Sequence, residues 1–148
     1  MTENDLSEAD LEAVEQTMLK LGWATHRQLH QELAEFNLTV SQFAALRALQ
    51  GFDEGCTMTE IAEAARQISA TMTGIVDRLV ERGVIARHRD SEDRRSVYIT
   101  LTEAGTKLLE KIKEKKRVRL RLFLKDLSAL ERKDFVRLTR KYLETVYG

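Results

Sequence analysis

Apolar residues recur every three or four positions along most of the chain, and the runs are broken by hydroxylated residues and not by proline, which is absent. Leu11, Val14, Met18, Leu21 and Thr25 form one stripe, continued by Leu29 and Leu33; Leu19, Trp23, His26 and His30 form a second, offset one. The 3.6-residue period predicts a long first helix, and its two semi-apolar faces predict that it lies between two neighbours. Helix starts are marked four times, by Ser7 with Asp10, Thr39 with Gln42, Thr57 with Glu60, and Ser128 with Glu131. In each pair a hydroxyl can accept from the backbone N–H three residues on, while that residue's side chain reaches back. Leu6 with Leu11 and Leu38 with Phe43 add hydrophobic staples to the first two starts.

The middle of the chain has a finer grain. Short helices are predicted at about Val40–Gln50, ended by Gly51, at about Met58–Ala65, and at about Ser69–Arg82, with Gly83 as a C-terminal cap. The period then drops to two: Ile85, Arg87 and Arg89 alternate with smaller or polar residues, as do Val97, Ile99 and Leu101. From Thr102 to Gly148 two further helices meet near Leu127-Ser128, with apolar positions including Leu109, Ile112, Leu120, Leu124, Phe135, Leu138 and Tyr142. Helix, helix, turn, helix, strand, loop, strand is the order of a winged helix-turn-helix. The expected fold is mostly α with a small β-hairpin wing, in one domain over 1–148 with no internal repeat.

On a helical wheel Ile68, Met72, Ile75, Val76, Leu79 and Val80 share the expected core face of the third short helix. Opposite lie Ala70, Thr73, Gly74 and Asp77, flanked by Ser69, Thr71 and Arg78. No long charged side chain occurs from Ser69 to Val76, which suits a helix whose first turns enter a DNA major groove. Hydroxyls at that end can also hold phosphate together with backbone N–H groups. A small-residue patch for another helix of the same chain would look the same in isolation. The short helix before it, the turn "RQI" and the hairpin after Gly83 favour groove insertion.

Between the strands lies "DSEDRRS", with no glycine, three carboxylates and two adjacent arginines. A tight hairpin would carry Asn-Gly or Asp-Gly. An arginine on such a tip can enter the narrow minor groove, where the negative potential is greatest. The carboxylates would repel DNA unless they pin the arginines or cap the loop, so they suggest a shaped loop; a solvated, charge-balanced loop is the bland alternative.

Charge sharpens this picture by its distribution. The 24 basic and 24 acidic side chains cancel over the whole chain. Residues 1–15 nevertheless carry six acids and no base, and residues 107–121 carry eight bases and two acids. The segment "KIKEKKRVRLR" could extend DNA contact, or be the solvated face of a long helix paired with the acidic N-terminus. At 43% hydrophobic and 32% charged residues the chain is globular, neither disordered nor membrane-like. No apolar run is long enough for a bilayer, and the acidic N-terminus lacks a signal-peptide pattern. The single cysteine, Cys56, fits a reducing cytoplasm, the expected location.

The segments "LTVSQFAALRAL", "TMTEIAEA" and "SATMTGIVDRLVERGVIARHRDSEDRRSVYITLTEAG", within Leu38 to Gly105, resemble the MarR family of winged-helix transcription regulators. The most specific piece is D-x-x-D-R-R-x-V-x-I-x-L-T-x-x-G, Asp90 to Gly105. The resemblance implies an obligate homodimer built from helices within about 7–36 and 102–148, below winged DNA-binding lobes at about 38–101. It implies a ligand-responsive repressor that binds double-stranded DNA at a pseudo-palindromic operator. In the wing it implies Arg95 as the minor-groove reader and Asp93 as the loop support, with Arg94 facing phosphate. It further implies a small aromatic or phenolic effector held in a crevice, for which Trp23, His26, His30 and Phe43 are the expected lining; ordinary dimer packing is the alternative for each.

No nucleophile–base pair, phosphate-binding glycine loop or carboxylate constellation suggests an enzyme, and no cofactor is expected. A helical protein–protein adaptor without DNA binding is the remaining alternative. Cys56 has no nearby histidine or lysine to activate it, and a structural role is expected. His26 and His30 stand at the i, i+4 spacing of a two-histidine metal site, but with no third ligand evident no metal is expected.

Overall fold

The computed structural model describes residues 6–90, 92–93 and 96–148. Among them the order is α1 (Glu8–Ala34), α2 (Val40–Leu49), α3 (Met58–Ala64), α4 (Ser69–Glu81), β1 (Ile85–Arg89), β2 (Val97–Leu101), α5 (Glu103–Leu124) and α6 (Ala129–Tyr147). All four hydroxyl-led starts are reciprocal capping boxes, at Ser7, Thr39, Thr57 and Ser128. Three helices end in a second recurrent device. Asn37, Arg66 and Gly83 take positive φ, and the residue after each donates back to the carbonyl of Leu33, Ala62 or Leu79 respectively. This closes the helix and redirects the chain into the next element. Glycine is the usual occupant of that conformation, so Asn37 and Arg66 adopt it at an energetic cost.

The chain falls into two compact units, residues 1–109 and 110–148. In the first, α2, α3 and α4 pack on one another, α4 packs on β1, and α2 and α3 reach β2. Leu46, Leu49, Ile61, Met72, Val76, Leu79, Ile85 and Ile99 are buried there. β1 and β2 pair antiparallel, from Ile85 opposite Leu101 to Arg89 opposite Val97. Cys56 adds a third rung, its N–H donating to the Ile99 carbonyl at 3.0 Å and its carbonyl accepting from Ile99 at 2.8 Å. Ile68 departs from the expected core face of α4: it is 71% exposed, because it is the N-cap residue and lies outside the helical turn that packs.

The expected stripes of α1 are only partly covered. Leu33 is buried and Leu29 half-buried near the C-terminal end, but Leu11, Val14, Leu19, Leu21 and Trp23 are exposed. In the second unit Phe123 and Phe135 meet edge to face, 5.3 Å between centroids, and Arg132 donates to the Leu124 carbonyl at the end of α5. Leu138, Tyr142, Leu143, Val146 and Tyr147 of α6 are exposed. No helix of the described residues is long and apolar enough to cross a membrane.

The start of α5 is fixed against the end of α4. The Thr102 N–H donates to the Val84 carbonyl at 3.1 Å, its hydroxyl donates to the Gly83 carbonyl at 2.6 Å, and the same oxygen accepts from the Gly105 N–H at 3.1 Å. The backbones approach so closely that a Cβ at position 105 would lie 2.0 Å from the Val84 carbonyl oxygen. Gly105→Ala is therefore expected to destabilise the protein by about 2 kcal/mol or more, measured by urea unfolding.

Candidate nucleic-acid interface

α4 is held on its inner side by Met72, Ile75, Val76 and Leu79, all buried. Its outer side presents Ser69, Ala70, Thr71, Thr73, Gly74, Asp77 and Arg78, every one exposed. Nothing lies within 4 Å of a Cβ built at Gly74, so within its own unit this surface receives no other helix. The Thr73 hydroxyl donates back to the Ser69 carbonyl at 3.1 Å. α4 also starts differently from α1, α2, α3 and α6: its N-cap is Ile68, and no side chain caps its first turn. A helix start of that kind presents backbone N–H donors and the positive end of the helix dipole to whatever approaches.

The wing follows directly. Its first arginine, Arg87, forms an ion pair with Asp77 of α4, tying the hairpin to the outer side of that helix. Asp77 and Arg87 lie on either side of the Gly83 turn, and reversal of the chain brings them together. At the far end of the hairpin the Asp90 N–H donates to the Ser96 carbonyl at 3.0 Å. The Asp90 carboxylate accepts from the Glu92 N–H at 3.0 Å, and the Asp93 carboxylate accepts from the Ser96 hydroxyl at 3.3 Å. These carboxylates therefore act on the loop's own backbone and hydroxyl groups. Arg94 and Arg95, the two expected groove and phosphate residues, lie outside the described residues.

A further residue escaped the sequence reading. Arg82, at the end of α4, donates to the carbonyls of Asn37 and Phe36 at 2.7 and 2.8 Å. It thereby ties α4 to the turn between α1 and α2. In the sequence it looks like an ordinary cation in a helix's last turn, and its partners are main-chain carbonyls 45 and 46 residues away that come near it only in the fold.

The residues expected to line an effector crevice are only partly brought together. His26 and His30 touch, with Nε2 atoms 3.1 Å apart. Trp23, one turn earlier, is 70% exposed, and Phe43 is half-buried on α2. Cys56 is fully buried, and that burial, with a contribution from the Glu60 charge, pushes its thiol up to about 11.

Two outcomes follow from this geometry. Asp77 and Arg87 are half-exposed, so a double-mutant cycle with Asp77→Asn and Arg87→Ala is expected to give a coupling of about 0.5–1 kcal/mol in urea unfolding. For Cys56 the folded thiol stays protonated where the unfolded one ionises at its ordinary value of 9.0. The folded state then binds more protons between pH 9 and 11, and stability falls as pH rises through that window. Cys56→Ala is expected to remove this part of the alkaline decline, and native Cys56 is expected to react with a disulfide reagent at pH 8 far more slowly than the unfolded chain.

Comparison with known proteins agrees with this geometry. The pattern of the MarR family matches residues 36–96. The HTH-type transcriptional repressor NicR of Pseudomonas putida is 33% identical over 130 residues, covering 86% of this chain and 81% of NicR. The structure of a MarR family protein from Bacillus stearothermophilus superposes with a TM-score of 0.81 at 26% identity, covering 97% of this chain and 99% of that one. Bordetella bronchiseptica BpsR, whose DNA binding is regulated by 6-hydroxynicotinic acid, superposes with a TM-score of 0.54 at 29% identity, covering 83% and 98%.

Proposed function

Because the chain belongs to the MarR family of transcription regulators, we propose that it is a cytoplasmic, homodimeric repressor that binds a pseudo-palindromic operator in double-stranded DNA. The observation that carries this reading is the outer side of α4. In a chain with 32% charged residues, a fully exposed surface of Ser69, Ala70, Thr71, Thr73 and Gly74 is thin enough for a major groove and offers hydroxyls and methyl groups to base edges. Ser69 and Thr71, beside the uncapped N–H groups of the first turn, meet phosphate; Ala70, Thr73 and Gly74 approach the bases; Arg78 reaches the backbone one turn later.

The hairpin extends this contact into the neighbouring minor groove. Arg95 is the minor-groove reader, Arg94 faces phosphate, and Asp93 supports the loop. The exposed apolar positions of α1 and of α6 supply the dimer surface, since apolar area on this scale is otherwise a liability in water. A small hydroxylated aromatic effector, of the kind that regulates BpsR, fits the chemistry of Trp23, His26, His30 and Phe43 once a second copy closes over them.

The reading is tested by fluorescence anisotropy on the DNA upstream of the protein's own gene, over a range of salt. Arg95→Ala is expected to weaken binding by about 1–3 kcal/mol and to lower the salt slope by about one unit. Gly74→Glu, at a position with open space, is expected to leave the fold intact and weaken binding at least about 100-fold through repulsion from phosphate. A helical adaptor would show no salt-dependent DNA affinity and no response to either change.

A further inference from the structure

The flank of α1 carries two imidazoles in direct contact with one another. His26 and His30 are both exposed, and their Nε2 atoms lie 3.1 Å apart. Their rings meet nearly edge to face, 4.5 Å between centroids and 71° between planes. An imidazole nitrogen sits about 2.0–2.1 Å from a bound zinc ion, so two nitrogens at this separation subtend roughly 95–100° at a shared ion. That angle lies between the octahedral and tetrahedral values. The two nitrogens share a hydrogen bond at this separation, and loss of the shared proton would leave them spaced as two cis ligands. That spacing requires no change of helix geometry, because residues four apart stand one above the other on one side of an α-helix.

We propose that His26 and His30 form a two-point chelate for a divalent late first-row cation. Imidazole selects zinc, nickel and copper over magnesium or calcium, and the divalent order places copper highest. No third histidine, cysteine or carboxylate joins the pair among the described residues, so the other positions of the ion belong to water or to an incoming ligand. With only two protein ligands the site is incomplete and exchangeable, unlike a closed four-ligand structural zinc site. The ion would also staple one turn of α1, because its two ligands lie four residues apart on that helix. The assignment stands apart from DNA binding, which uses α4 and the hairpin.

The chain contains only three histidines, which makes the assignment clean to test. The third, His88, lies on β1 with its Nε2 2.9 Å from the Thr100 hydroxyl. Full-length protein without a purification tag is titrated calorimetrically with zinc, nickel and copper salts, and the copper complex is examined by electron paramagnetic resonance. Saturable binding well below millimolar is expected, at no more than one ion per chain, with a copper spectrum showing coupling to two imidazole nitrogens. His26→Gln and His30→Gln are each expected to weaken binding by about tenfold or more, with circular dichroism unchanged, whereas His88→Gln leaves binding as it was. Absence of saturable binding would overturn the proposal, because the pair would then be only hydrogen-bonded. Binding that survives both substitutions in the α1 pair, or that is lost with His88, would overturn it equally.

Discussion

The carbonyl of Val84 is the point at which the end of α4, the hairpin and the start of α5 are joined. It accepts the Thr102 N–H and lies against the bare backbone of Gly105. One oxygen thus joins the end of α4, the first residue before β1 and the first turn of α5. Thr102 completes the junction by bonding the Gly83 carbonyl as well. Gly83 supplies the positive φ that lets α4 stop and reverse into a strand, and Gly105 leaves room for the Val84 carbonyl against the first turn of α5. The angle between α4 and the hairpin is set there, and the Asp77–Arg87 pair holds it further out.

The two ends of the chain follow a different economy of burial. The middle segment buries its large side chains among its own elements and even recruits Cys56 as a third rung of the sheet. Most of α1 and all of α6 instead keep their apolar residues exposed. Both helices are nevertheless well capped, so their shape is locally specified while their solvent-averse sides are not satisfied. Local signals and tertiary burial are separable in this chain. Helix boundaries come from side-chain-to-backbone hydrogen bonds, whereas cover for the apolar stripes has to come from elsewhere.

That separation explains what the sequence disclosed. The capping boxes, the glycine after α4 and the switch to a two-residue period were legible, because each is a short-range rule with its own residues. The order of elements followed, and with it the exposed outer side of α4 and the hairpin. Ile68 was misplaced because a helical wheel cannot tell an N-cap residue, still outside the first turn, from a core position. Arg82 and the Asp77–Arg87 pair were not legible, since their partners are carbonyls or charges brought near by turns at Asn37 and Gly83. The two histidines show the reverse case: their spacing was plain, but only coordinates give the distance between their nitrogens. Arg94 and Arg95 remain a sequence argument, supported by the way Asp90 and Asp93 engage the loop around them.

The bare start of α4 bears on how such a surface distinguishes ligands. Of the five helices with a described N-cap, only α4 begins without a side-chain acceptor. Its first turn is therefore the easiest to unwind, and its amides should exchange with solvent soonest within that helix. A phosphate oxygen set against those amides would act as the missing cap and finish the helix. Were a phosphate bound there, order in the first turn of α4 and occupancy of that position would be linked quantities. A duplex whose backbone placed its phosphates elsewhere would leave that turn without its cap, so a start of this kind would respond to backbone shape as well as to base sequence.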